Sequence, residues 1–278
     1  MKKYNILILS NPNDIYAKED EILAESFKKD GQNVLMRWLD YNEKLDDEFD
    51  IILRRDTWTQ EEKDIPRYEK YNNILKKRLK NKSIKKVNFY EVDSEGKRYL
   101  IDYYKKGLKV IPSTDKLEDI KKLDLDSYNE FVLKPINALG SAIGQKIVSK
   151  TDLKKEFQEG FLIQPKMKFK SEVQCYFVED ELMYVFEFIP SKYPDYPNPL
   201  VIELTENERE LVYEFVKENN LKVGFQRIDF LRLEDDQLIL LEIEATSPFM
   251  DLVMVEEKLM NIVVDKYKQS IYRYLESL

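Results

Sequence analysis

The sequence predicts a mixed α/β (α+β) chain in which a small parallel α/β unit is followed by antiparallel hairpins. Three observations carry this expectation. Over roughly the first 88 residues, short apolar runs alternate with helical segments, the pattern of strands joined by crossover helices. From about residue 161 onward, strand-like runs follow one another across short polar turns, the pattern of hairpins. The chain then closes on a long, mostly amphipathic helical stretch.

Taken in order, residues 4–9 read as a buried strand and Asn11-Pro12-Asn13-Asp14 as a turn. A helix is expected over 17–29, with Ile22, Leu23 and Phe27 at helical spacing and Gly31 ending it. Strands follow at 33–38, 50–53 and 84–89, with a basic helix at 65–80. This first unit is placed at 1–88. A second unit, 89–162, holds a helix at 99–106, a short strand at 110–114, and the strand Phe131-Val132-Leu133-Lys134-Pro135. A loop with Gly140 and Gly144, a strand at 145–148, a short helix capped by Thr151 and a strand at 161–164 complete it. The third unit, 163–278, opens with strands 172–178 and 182–188 around Glu179-Asp180-Glu181. Its proline-rich segment 190–199 reads as a surface loop, and Thr205-Glu206-Asn207-Glu208 as a capping box opening a helix to about Asn219. A hairpin of 225–233 and 238–245 and a helix over 253–278 end the chain.

Composition narrows the chemistry. The net charge of −8 argues against nucleic acid or an anionic membrane as partner of the whole chain. No stretch is long and apolar enough to span a bilayer, and Ile6-Leu7-Ile8-Leu9 is too short for a signal peptide. The single cysteine, Cys175, forbids an intrachain disulfide and fits a reducing, cytoplasmic compartment. Histidine is absent, which excludes Ser-His-Asp triads, Cys-His pairs and histidine-ligated metals. Chemistry is left to carboxylates, lysines, arginines, tyrosines, backbone amides and hard cations.

The strongest chemical signal is the hairpin 225–245. Strand alternation places Arg227, Asp229 and Leu231 on one face, and Leu238, Leu240, Glu242 and Glu244 on one face of the partner. With Glu234-Asp235-Asp236-Gln237 as a four-residue loop, Asp229 falls opposite Glu242 and Arg227 opposite Glu244. Opposed acids repel, and a raised pKa or a bound cation relieves them. Oxygen-only ligands suit Mg²⁺ or Mn²⁺. An ordinary solvent-exposed charged face remains the alternative. Lys134, at the end of an apolar strand, can reach a phosphate, and the glycines of the loop after it allow close backbone approach, although a glycine pair in a hairpin is more often a plain turn. The segment Phe161 to Met167 reads either as a strand offering backbone groups to an adenine edge or as a buried edge strand.

Together and in order, Gly96-Lys97-Arg98-Tyr99, Val110 to Thr114, Phe131 to Pro135 with its small-residue loop, Leu162-Ile163-Gln164-Pro165, Arg227-Ile228-Asp229 and Leu241-Glu242-Ile243-Glu244 resemble the ATP-grasp superfamily. Its glutathione-synthetase-like and cycloserine-ligase-like members are the nearest in pattern. The resemblance implies an ATP-grasp fold, with a small Rossmann-like N-terminal domain before two α+β subdomains that sandwich ATP. Under it, Lys134 and either Lys97 or Lys116 would hold phosphates, and Gly140 and Ser141 would cover them. Backbone at Gln164, Pro165, Lys166 and Met167 would face adenine, and Glu172 would bond the ribose. Asp229, Glu242 and Glu244 would hold two Mg²⁺ ions, with Arg227 and Lys134 as the catalytic cations. Glu244 departs from the Asn frequent at that position.

The implied activity is ADP-forming ligation of a small-molecule or peptide carboxylate to an amine or thiol through an acyl phosphate. An ATP-grasp kinase and a non-catalytic nucleotide-binding regulator are the alternatives. Arg54 or Arg55, beyond a strand end, is expected either to grip a substrate carboxylate or to form a surface ion pair. Segment 193–199 is a candidate lid, and the amphipathic C-terminal helix leaves a homodimer open.

Overall fold

The computed structural model describes residues 2–10, 17–37, 49–55, 73, 84–87, 96–137, 144–190, 199–244 and 248–277. The turn expected at 11–14, the helix expected at 65–80 apart from residue 73, Gly140, Ser141 and nearly all of the candidate lid lie outside these residues.

Three sheets organise the chain. The first is parallel, in the order β2-β1-β3-β4, from β1 (Asn5–Leu9), β2 (Asn33–Arg37), β3 (Ile51–Arg54) and β4 (Lys85–Val87). The inner strands β1 and β3 read as nearly continuous apolar runs because both faces are covered: Ile6 and Ile8 enter one core, Leu7 and Leu9 another. Helix α1 (Ala17–Lys29) packs on β2, with Glu19 and Asp20 in its first turn and Lys28 and Lys29 in its last, each sign matching the helix dipole.

Helix α2 (Tyr99–Lys105) leads to the second sheet, antiparallel in the order β6-β5-β7, from β5 (Glu130–Pro135), β6 (Lys146–Ser149) and β7 (Phe161–Pro165). Phe131, Leu133 and Ile163 face a small core shared with the short helices α3 (Asp119–Lys122) and α4 (Leu153–Glu156). Val132 and Lys134 therefore point to the opposite side. Thr151 does not cap α4: Asp152 holds the N-cap position, and Ser149 Oγ organises the turn by accepting from Asp152 N–H at 3.1 Å and donating to its carboxylate at 2.6 Å.

The third sheet is antiparallel, ordered β10-β9-β8-β11-β12, from β8 (Phe169–Val178), β9 (Glu181–Phe188), β10 (Leu200–Val201), β11 (Phe225–Leu233) and β12 (Leu238–Glu244). On one face Val173, Cys175, Phe177, Ile228 and Phe230 pack against Val212, Phe215 and Val216 of α5 (Glu206–Asn219) and against Leu100 and Tyr103. The capping box is present: Thr205 Oγ1 accepts from Glu208 N–H at 3.4 Å, and Glu208 accepts from Thr205 N–H at 2.8 Å. On the other face Tyr176, Tyr184, Phe186 and Phe225 meet Val263, Val264, Tyr267 and Ile271 of α6 (Glu257–Glu276) and Ile6, Ile8 and Phe27 of the first unit. At about 1.5–3 kcal/mol per large apolar side chain, this shared core anchors the parallel sheet to the large one. Segment 109–114 stitches the second and third sheets: Ile111 N–H donates to Leu240 O at 3.1 Å, and Ile163 N–H to Thr114 O at 2.7 Å. The final helix begins at Glu257 rather than 253, because Leu252–Met254 forms one tight 3₁₀ turn.

The site hairpin corrects the expected loop. Three residues, Glu234 to Asp236, close it, with Leu233 N–H donating to Gln237 O at 2.8 Å and Asp236 left-handed at φ 67°. Leu231 therefore pairs with Ile239 and Phe230 with Leu240, one residue off the expected register. A bulge at Leu241 then takes up the difference, so that Asp229 still faces Glu242 and Arg227 still faces Glu244. The bulge also swaps faces. Leu238 and Leu240 lie in the core with Ile243, not beside Glu242.

Candidate active site

Four strands and one helix deliver the charged groups. Arg227 and Asp229 stand on central strand β11 and are buried, while Glu242 and Glu244 on the outer strand β12 are half-buried. Tyr99 of α2 supports β12 between its two acids, its hydroxyl accepting Ile243 N–H at 2.7 Å. One carboxylate oxygen from each of Asp229, Glu242 and Glu244 lies within 4.8 Å of the others, a hard, oxygen-only donor set that fits Mg²⁺. The alternative of an ordinary exposed face does not hold, since Asp229 is only 1% exposed.

Arg227 spans this group. Its Nε and Nη2 donate to the two oxygens of Asp229 at 2.9 Å each, and Nη2 stands 3.1 Å from Glu244. Burial raises the Asp229 carboxyl well above its ordinary range despite Arg227, and raises Glu244 as well. Glu242 behaves oppositely: burial would raise it, but the charges of Lys97 and Lys134 outweigh that and hold it at about 2.

Lys97 reaches Glu242 because of the residue before it. Gly96 has φ 61°, and a Cβ there would lie 2.1 Å from Ile136 O. Only glycine allows that approach, which lets Lys97 N–H donate to Ile136 O at 2.8 Å, just beyond β5, and its ammonium pair with Glu242. The other candidate, Lys116, is exposed on the loop after Thr114.

Lys134 is 9% exposed, and its ammonium has no hydrogen-bond or ion-pair partner among the described residues. Burial lowers its pKa, partly countered by the charges of Glu242, Glu172 and Asp229. Gln174 Nε2 donates to Glu172 at 2.7 Å, on the strand beside Asp229. In the expected adenine segment, Gln164 is buried and donates to Ser113 Oγ at 2.8 Å, Pro165 pairs with Phe131, and Lys166 N–H donates to Glu130 O at 3.0 Å. Lys166 and Met167 line a cleft of about 690 Å³ with Tyr128, Glu130, Leu233 and Glu234. That cleft opens at the start of β5, four residues or roughly 13 Å along the strand from Lys134.

Sequence reading missed Asp251. It is buried and left-handed at φ 48°, accepts from the Tyr176 hydroxyl at 2.5 Å, and its carboxylate lies 3.9 Å from Arg227 Nη1. Its partners are 75 and 24 residues away, so nothing in its neighbourhood in sequence marks it. The expectation for Arg55 is overturned. It is neither on the surface nor open to a substrate: it is 1% exposed, with Nε donating to Asp20 at 2.9 Å, Nη1 to Pro248 O at 2.8 Å, and Nη2 to Glu19. Arg54 is half-buried.

No protein-family model matches the sequence, and no curated protein matches it. Solved structures do. D-cycloserine synthetase DcsG superposes with a TM-score of 0.73 at 15% identity, covering 98% of this chain and 99% of that one. D-alanine–D-alanine ligase from Bacillus anthracis, complexed with ATP, gives 0.64 at 16% identity over 98% and 99%. The ATP-grasp ligase PsnB, complexed with minimal precursor, Mg and ADP, gives 0.61 at 12% identity over 94% and 97%. As the order of its sequence motifs implied, the chain has the ATP-grasp fold.

Proposed function

We propose that this protein is an ATP-dependent, ADP-forming ligase that joins a small-molecule or peptide carboxylate to an amine or thiol. The observation that carries the reading is the pairing of opposites left incomplete in one cluster of charges. Three carboxylates crowd together, and the ammonium of the largely buried Lys134 has no partner among the described residues. A polyanion arriving with hard cations completes both at once, and MgATP is such a ligand. The spacing agrees: Lys166 and Met167 stand about one strand length from Lys134, which suits a nucleotide with its base at one end and its phosphates at the other. The ATP- and ADP-bound neighbours of the same fold support the assignment.

Asp229, Glu242 and Glu244 would hold two Mg²⁺ ions, which neutralise phosphate charge. Lys97 occupies Glu242 in the free protein and would turn to a phosphate when a cation takes its place. Lys134 fixes the phosphates, Glu172 accepts from ribose hydroxyls, and Arg227 offsets charge on the transferring group. A substrate carboxylate oxygen attacks the γ-phosphorus as the bond to the bridging oxygen breaks, which yields an acyl phosphate and ADP. The amine or thiol then attacks the acyl carbon, phosphate departs, and the nucleophile loses a proton.

The test is ADP release from MgATP by the purified protein against pools of amino acids, small peptides and other carboxylates. Release that depends on one pool, with equimolar phosphate, is expected. A stable phosphorylated product would instead identify a kinase, binding without turnover against any pool would favour the regulator, and failure to bind MgATP would sink the nucleotide reading.

A further inference from the structure

In open parallel sheets, ligands usually sit beyond the carboxyl ends of the strands. Here part of that edge is occupied by the chain itself. Ser10 follows β1, Arg55 follows β3 and Glu19 and Asp20 open α1. Together they grip the segment 248–250 that leads out of the site hairpin. Arg55 Nη1 donates to Pro248 O at 2.8 Å, Met250 N–H donates to both oxygens of Glu19 at 2.9 and 3.1 Å, and Ser10 Oγ donates to Asp20 at 2.5 Å. The Tyr184 hydroxyl donates to Met250 O. The backbone of Met250 is therefore held at both its N–H and its C=O, and the next residue is Asp251, whose carboxylate lies 3.9 Å from Arg227 Nη1.

We infer that Glu19 and Arg55 are positioning residues for Arg227: by clamping segment 248–250 they fix Asp251, and Asp251, held also by Tyr176, sets the guanidinium on the side away from Asp229 and Glu244. Arg227 is tied on its Nε and Nη2 side by the acids proposed to receive cations, so when those acids turn to cations the Asp251 side is what keeps the guanidinium in place. This inference rests on the nucleotide-binding reading above, in which Arg227 meets the γ-phosphate.

The test is calorimetric binding of MgATP and MgADP to the full chain, which needs no acceptor. The wild type is expected to prefer MgATP. Arg227→Lys should reduce that preference by about tenfold, the loss of one charge-assisted contact. Glu19→Gln should reduce it by roughly threefold or more, while leaving MgADP affinity unchanged. The double variant should lose no more than Arg227→Lys alone, since Glu19 acts through Arg227. Tyr176→Phe, which keeps the buried ring and removes the hydroxyl that reaches both Asp251 and Gln174 Oε1, provides the measurement if Glu19→Gln fails to fold, with MgADP affinity as the control for the Gln174 side. A folded Glu19→Gln or Tyr176→Phe protein with an intact preference, or additive losses in the double variant, would overturn the inference. A wild type that binds neither nucleotide would instead remove the proposed function, and the clamp's role with it.

Discussion

Two clusters of acids and bases among the described residues, one around Arg55 and one around Lys134, are built differently. Around Arg55 the arginine reaches both acids, Glu19 and Asp20, and each acid also receives a second donor from the chain, Met250 N–H or Ser10 Oγ. Around Lys134, three acids share one arginine and one lysine, while Lys134 itself lacks a partner among the described residues. Both carry the desolvation cost of buried charge, but only in the first does every charged group find a hydrogen-bond partner within the described residues. The lesson is that burial of charge does not by itself mark a site. A closed cluster fixes structure, and an open one waits for the groups that complete it.

The largest expected effect breaks the open cluster. Glu242→Gln with Glu244→Gln should reduce Mg-dependent ADP release by about a hundredfold or more, with the circular dichroism spectrum unchanged. Undiminished turnover would remove these acids from cation binding. The closed cluster answers in stability instead: Arg55→Met should cost about 3–5 kcal/mol in denaturant unfolding, because buried acids are left uncompensated. Lys134→Met is the sharpest contrast. It removes a charge on a largely buried residue that has no partner among the described residues, so the nucleotide-free protein should melt at the same or a higher temperature, while MgATP affinity falls about tenfold. A clear loss of stability in that variant would mean that the two clusters are alike after all.

The smallest effect is a slope. Burial, with the charges of Asp20 and Asp251 adding to it and Arg55 opposing, pushes the Glu19 carboxyl from 4.5 up to about 8. A carboxyl raised on folding holds its proton longer in the folded state than in the unfolded one. Its contribution is therefore complete below about pH 4.5 and is lost as pH rises toward 8. Melting temperature followed across that window should decline in the wild type and decline less in Glu19→Gln. Identical slopes would show that Glu19 does not titrate there.

Much of the candidate site was legible because it is local. Asp229, Glu242 and Glu244 share one hairpin, and strand alternation places them together without knowledge of the rest of the fold. Even so, the pairing came out as expected for a compensated reason: the turn is one residue shorter than expected, and the bulge at Leu241 restores the register. A bulge has no strong local signature, so the faces of Leu238 and Leu240 were misplaced. Lys97 was legible only as one of two lysines. The close approach of Gly96 to Ile136 O, 40 residues on, is what brings Lys97 and not Lys116 to Glu242.

The sequence by itself determined most strands and longer helices among the described residues, the parallel character of the first sheet, the capping box at Thr205, and a chemistry confined to oxygen ligands and cations. Each of these follows from periodicity, local hydrogen bonding or the absence of histidine, and needs only near neighbours in the chain. The tertiary structure alone decided which charges are closed and which are open. Arg55 finds Pro248 193 residues away, Glu19 finds Met250 231 residues away, and Lys97 finds Glu242 145 residues away. A charged side chain carries the same donors and acceptors wherever it stands, and only the packing of distant segments determines whether they are met.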